Sequence, residues 1–214
     1  MTADSRVKQA LKWWSYRQAM RFFLEAETIR DGLLQESFTI RRRLDLLTTN
    51  THNFSYEKTQ EWLNKFENFH HSLVQLSERL CPASIQDSLP LSIEYLLETW
   101  FTSHPNLYFH VDMPMAWRPE STERSLIILR AIEELLKIAI PPGLTKPISI
   151  YISLRNKDDL GLLKVQITYP NISSLLAYSN LPELEYLCES FKILMAGKCF
   201  CYSSNLRVDW YFCW

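Results

Sequence analysis

The sequence predicts an α+β protein, with a long helical hairpin in front of an α/β sandwich. Two observations carry this. The first 80 residues hold two long stretches with helical seam spacing, and the remainder alternates helix-like segments with short β-rich runs bounded by Pro, Gly and Asn. Pro82 divides the patterns, giving a helical dimerisation domain over 1–82 and an α/β domain over 83–214.

From about Arg6 to Leu47 the chain is rich in Leu, Arg, Glu, Gln and Ala, with Gly32 its one helix-weakening residue. Leu33, Ser37, Ile40, Leu44 and Leu47 step by 4, 3, 4, 3, the seam of a helix packed on helices. Thr48 to Ser55 is polar and turn-like, and a second helix is expected from Tyr56 to Leu80. Its Trp62, Phe66, Phe69, Leu73, Leu76 and Leu80 form a stronger seam. One hairpin leaves much of this apolar surface uncovered. Pairing of two copies into a four-helix bundle through Leu33, Ile40, Leu44, Leu47, Trp62, Phe66, Phe69, Leu73 and Leu76 is the expected solution; packing of the hairpin on the chain's own second domain is the other.

After Cys81-Pro82, which stops the second helix, the expected order is helix (92–102), strand (107–111), helix (119–140), strands (148–154 and 162–169), helix (182–196) and a closing hairpin (198–202 and 206–212). Asn156–Asp159 and Ser203–Asn205 are the expected turns, and Pro141-Pro142-Gly143 ends the second of these helices. Helices on one face of a mixed sheet follow from that order.

Composition narrows function. A net charge of −1 gives no general attraction to nucleic acid or membrane, and no apolar run is long enough for a membrane span. Four Gly in 214 residues disfavour phosphate-cradling loops. Five Cys without ligand spacing are expected as reduced thiols in a cytoplasmic protein. Cys199 and Cys201 share a strand face, with Cys213 near them, but no fourth ligand completes a zinc set.

The stretch Glu27-Thr28-Ile29-Arg30-Asp31-Gly32-Leu33-Leu34-Gln35 resembles the phosphoacceptor region of the sensor histidine kinases that pair with helix-turn-helix response regulators. Asp31, Gly32 and Gln35 fit that frame. Leu80-Cys81-Pro82 resembles the link between bundle and ATPase domain, and Arg130 to Leu136 the helix bearing the magnesium-binding Asn. Met195-Ala196-Gly197 with the closing hairpin resembles the end of that domain. The resemblance implies a dimeric hairpin joined to an ATPase-like sandwich, and a response regulator or kinase as partner.

The departures imply a chain without kinase activity and without a bound cofactor. Arg30 stands where the family has its phosphoacceptor His, and a guanidinium is no nucleophile. Ile138 takes the place of the magnesium Asn and offers no oxygen to a hard cation. Ile167-Thr168-Tyr169-Pro170-Asn171 replaces the Asp-x-Gly-x-Gly turn, and Ile172–Leu187, at the position of the lid, contains no Gly. Tyr151, Tyr169 and Tyr178 are expected to fill the degraded pocket. The expected function is a dimeric, non-catalytic regulator or scaffold, whose partner meets Arg30, Asp31, Gln35, Arg41 and Arg42. The alternative is a phosphotransferase working through His70 or His71, or an atypical kinase. Glu133 and Glu134 are expected as one solvated and one buried-edge carboxylate. The aromatic residues Trp13, Trp14, Tyr16, Phe22 and Phe23 could bind a partner or cap the bundle.

Overall fold

The computed structural model of the protein describes residues 3–49, 56–143, 146–157 and 160–214. The chain divides into two compact units, Tyr16–Pro82 and Met1–Ser15 with Ala83–Trp214. Together they are α+β, a long helical hairpin and a mixed sheet with helices.

In the helical unit, α1 (Ala3–Thr28) runs into a π-helical turn (Ile29–Leu33), then α2 (Leu34–Thr49); α3 (Tyr56–Leu80) returns. The expected single helix is thus interrupted at Gly32, where helical propensity is lowest. Residues 50–55, most of the expected polar turn, lie outside the described residues. Arg43 bridges α2 to α3, donating to Glu61 at 3.1 Å and lying over the Trp62 ring. Arg79 on α3 pairs with Glu25 on α1 at 3.2 Å.

In the second unit a short 3-10 turn (Ala83–Gln86) leads to α4 (Leu89–Ser103), with Pro90 in the first turn, where its missing N–H costs nothing. Then follow β1 (Leu107–Asp112), α5 (Thr122–Ala139), β2 (Ile148–Lys157), β3 (Leu160–Thr168), α6 (Ile172–Ser179), α7 (Pro182–Met195), β4 (Lys198–Ser204) and β5 (Arg207–Cys213). α5 starts at Thr122, because the Ser121 side chain accepts the Arg124 N–H and caps it there, and not at Pro119. The closing hairpin turns at Asn205, whose φ is 55°, and Leu206, one residue later than expected. Lys157 still belongs to β2, and residues 158–159 of the expected turn lie outside the described residues.

The sheet order is β1-β2-β3-β5-β4. β1 and β2 are parallel and the other pairs antiparallel. Alternation places Ile148, Ile150 and Ile152, then Leu163, Val165 and Ile167, then Val208, Trp210 and Phe212 on one buried face. Against that core pack Ile93 and Leu97 of α4, Ile128, Ile132, Leu135 and Leu136 of α5, and Leu187 and Phe191 of α7. Each such side chain contributes about 1.5–3 kcal/mol by leaving water. The first residues of α1 join this core as well. Trp13 and Trp14 pack against it, Trp13 meets Tyr186 at 6.4 Å, and Ser190 donates to the Ala10 carbonyl at 2.9 Å.

Gly197 closes α7 where the backbone nearly touches the strand beside it. A Cβ there would overlap the Cys213 carbonyl oxygen. Cys188 on α7 and Cys199 on β4 are disulfide-bonded, their Cα atoms 5.2 Å apart. This corrects the expectation of five reduced thiols: α7 lies beside β4, a proximity that spacing along the chain does not reveal. Cys81, Cys201 and Cys213 are free thiols.

Candidate functional site

Two places hold the residues that the sequence singles out, one in each unit. In the sheet unit, α5 presents an apolar face to the core and buries Glu134 with it. Lys137 approaches Glu134 at 3.9 Å. Glu133, on the outer side, accepts from Arg130 at 2.6 Å and from Lys137 at 2.8 Å. Burial works to raise the Glu133 pKa, but Lys137 and Arg130 more than offset it and hold the carboxyl below its ordinary value. Glu133 is thus a carboxylate locked between two cations, a poor proton acceptor at neutral pH.

Ile138, one turn after Glu134, packs against the hydrophobic core. Beyond β3, Tyr169 is 2% exposed, and its hydroxyl donates to the Ala139 carbonyl at 2.9 Å. Burial pushes that phenol's pKa well up, so it remains a neutral donor. The last carbonyls of a helix need partners from outside it, and Tyr169 supplies one to α5. Tyr169 thereby ties the end of β3 to the end of α5 through one hydrogen bond. Tyr178 adds its ring to the same core.

Tyr151 does not join them. It lies in register with Gln166 on the opposite, open face of the sheet, stacks on His110 at 5.4 Å and donates to Asp112 at 3.0 Å. The expectation that three tyrosines share one filling is corrected: strand alternation sends Tyr151 away from the core. Where the resemblance has a Gly-rich lid, the chain forms α6. The Asn171 side chain accepts the Ser174 N–H at 2.8 Å and caps it. That Asn-x-x-Ser cap is the local signal for a helix that apolar periodicity does not predict. Among the described residues no group of three His, Cys, Asp or Glu side chains could hold a metal ion.

In the helical unit, Arg30 and Asp31 fall within the π-helical turn. Arg30 is exposed and held locally, to Glu27 at 3.3 Å and to Asp31 at 3.6 Å. Gln35, Arg41 and Arg42 are exposed on α2. His70 and His71 are exposed on α3, and the His71 ring lies 2.9 Å from the Gln75 amide. Of the expected seam, Leu33 and Leu76 are buried, and Ile40, Trp62 and Phe69 half-buried. Leu44, Phe66 and Leu73 are exposed, Phe66 by 58%, and the Leu47 side chain lies outside the described residues. The N-terminal aromatics divide: Trp13 and Trp14 cap the sheet unit's core, whereas Tyr16, Phe22 and Phe23 face solvent. No helix among the described residues is long and apolar enough to cross a membrane.

No protein-family model and no curated protein matches the sequence. Solved structures do. The chain is similar to the histidine kinase AdeS of Acinetobacter baumannii, at 11% identity over 85% of this chain and 95% of that one, TM-score 0.39. It is similar to the blue-light activated histidine kinase EL346 of Erythrobacter litoralis, at 8% identity over 86% of this chain and 58% of that one, TM-score 0.43. It is also similar to the histidine kinase ThkA, solved in complex with the response regulator protein TrrA, at 14% identity over 94% of this chain and 65% of that one, TM-score 0.45.

Proposed function

We propose that this chain is a non-catalytic, histidine-kinase-like regulator or scaffold that acts in the cytoplasm as a homodimer and binds a protein of a two-component pathway. The observation that carries the reading is Tyr169. At the position where the resemblance has its nucleotide-binding turn, a buried tyrosine bonds to the end of α5. Ile138, at the position where the resemblance has the magnesium-binding Asn, has no oxygen for a hard cation. Arg30 in place of the phosphoacceptor removes the nucleophile as well. Calorimetric titration of the full chain with magnesium ATP is the direct test. No heat at millimolar ATP is the expected result. Saturable binding overturns the reading, and acid-labile phosphate on His70 or His71 after mixing with a phosphorylated regulator assigns the chain to phosphotransfer.

The dimer rests on Leu44, Phe66 and Leu73, apolar side chains exposed along the seam of a single hairpin. Light scattering should give twice the chain mass for the wild type and one chain mass for Phe66→Glu combined with Leu73→Glu. The partner surface comprises Arg30, Asp31, Gln35, Arg41 and Arg42. No ion pair holds Arg41 or Arg42 among the described residues, so their charge is available to an acidic surface such as a response regulator presents. A response regulator captured by the wild type and not by Arg30→Glu with Arg42→Glu supports this surface; equal capture by both rules it out.

A further inference from the structure

The sheet has two edges of different character. β1 carries His110 and Asp112, and Asp112 is tied to Arg155 of the neighbouring strand. β4 pairs on one side only, with β5. Its sequence, Lys198-Cys-Phe-Cys-Tyr-Ser-Ser204, has one charge at its start and then six residues with no charge, Pro or Gly. Natural edge strands are blunted by charge, proline, a bulge or a cover, and β4 shows none of the first three after Lys198. Its register with β5 is continuous from Lys198–Cys213 to Ser204–Arg207. Phe200 and Tyr202 stand exposed on the open face and pack with Tyr211 of β5: Phe200 stacks on Tyr211 at 5.1 Å, and Tyr202 meets Phe200 edge-on at 5.8 Å.

We infer that β4 is a second self-association surface, on which the β4 of another copy pairs antiparallel about a two-fold axis at Cys201. The strand's own sequence selects this occupant. Rotation about Cys201 sets Phe200 of one copy opposite Tyr202 of the other, twice. The aromatic group of each sheet then continues into the next, a cross-strand pairing that stabilises antiparallel strands. Cys199 falls opposite Ser203, and Lys198 opposite Ser204, so no like charges meet. One strand pair buries less than a stable dimer requires, so the association is weak and concentration-dependent. It is separate from the hairpin seam of the proposed dimer. A chain using both two-fold surfaces forms assemblies larger than a dimer.

Cys201 is an exposed free thiol at the axis and reports the contact. Burial nonetheless pushes its pKa up, so a short bis-maleimide is applied at about pH 8. The full chain is used with Cys81→Ser and Cys213→Ser, at about 20 and 200 μM. The expected product is a covalent dimer joined at Cys201, confirmed by peptide mass and rising with concentration. It should persist when Phe66→Glu and Leu73→Glu are added, so failure of the hairpin dimer and failure of this contact are read separately. Tyr202→Lys should lower the yield about tenfold, by removing both aromatic pairs. Cys201→Lys, which sets like charges opposite each other, should remove any species larger than a dimer in light scattering. If Tyr202→Lys does not fold, Ser203→Lys on the same edge serves with the same expectation. No cross-link at the higher concentration, an unchanged yield in the lysine variant, or only heterogeneous products without the Cys201–Cys201 peptide overturns the proposal.

Discussion

The two units use similar apolar residues to opposite ends. In the sheet unit, Ile, Leu and Phe side chains close over one another until Phe191, Phe212 and Ile132 have no exposure left. In the helical unit, Leu33 and Leu76 are buried while Phe22, Phe38, Phe66 and Leu73 remain in solvent. A sheet covered by helices completes its core within one chain, whereas a two-helix hairpin has too few neighbours to do so. The sheet unit thus carries a complete core of its own, while the helical unit leaves apolar surface uncovered within one chain.

Core truncation separates the two most sharply. Phe191→Ala should cost about 3–5 kcal/mol in denaturant unfolding of the sheet unit. Phe66→Ala in dilute protein should change stability by no more than about 0.5 kcal/mol, with a loss that grows with concentration if a second copy covers it. Gly197→Ala should cost about 2–3 kcal/mol, since the strand behind it must move to admit a methyl group; the thermal midpoint reads this directly. Tyr169→Phe leaves the Ala139 carbonyl without its donor and should cost about 1–2 kcal/mol, with no gain in ATP binding.

The smallest expected effect is electrostatic. The Glu133 carboxyl is held below its ordinary value of 4.5, so its ion pairs stabilise the folded state above that pH. This contribution falls away as pH drops through 4.5 toward the lower folded value. Glu133→Gln should therefore be less stable than wild type at pH 7 by under about 1 kcal/mol, the partners being partly exposed. The two should converge in the acid limb of a pH–stability profile. A gap that persists at low pH would mean that Glu133 acts through packing.

Much of the sheet unit was legible because alternation and turn residues are local signals. The strands around Ile150, Val165 and Trp210 lie where the β-rich runs predict them, and Pro141-Pro142-Gly143 ends α5 as expected. What escaped was non-local or small. The helix α6 depends on one Asn side chain and has no apolar stripe long enough to show. The Cys188–Cys199 bond joins residues that only the packing of α7 beside β4 brings together. The π-helical turn, Ile29–Leu33, ends where the apolar seam begins, at Leu33, so the seam's spacing carries no sign of it. At the candidate site, the guanidinium of Arg30 and the apolar side chain of Ile138 could be read from residue type alone. The bond from Tyr169 to Ala139 could not, because it needs the end of β3 placed against the end of α5.

The strand order also bears on how the chain reaches its fold. β5 follows every other strand along the sequence, yet it lies inside the sheet, between β3 and β4. The β2–β3 and β4–β5 hairpins are local pairings, whereas β3–β5 joins strands far apart in the sequence and is the slower to close. Until then β3 exposes an apolar edge. Slower refolding than a sheet of sequential hairpins is the expected kinetic signature, read by the relaxation rate after dilution from denaturant.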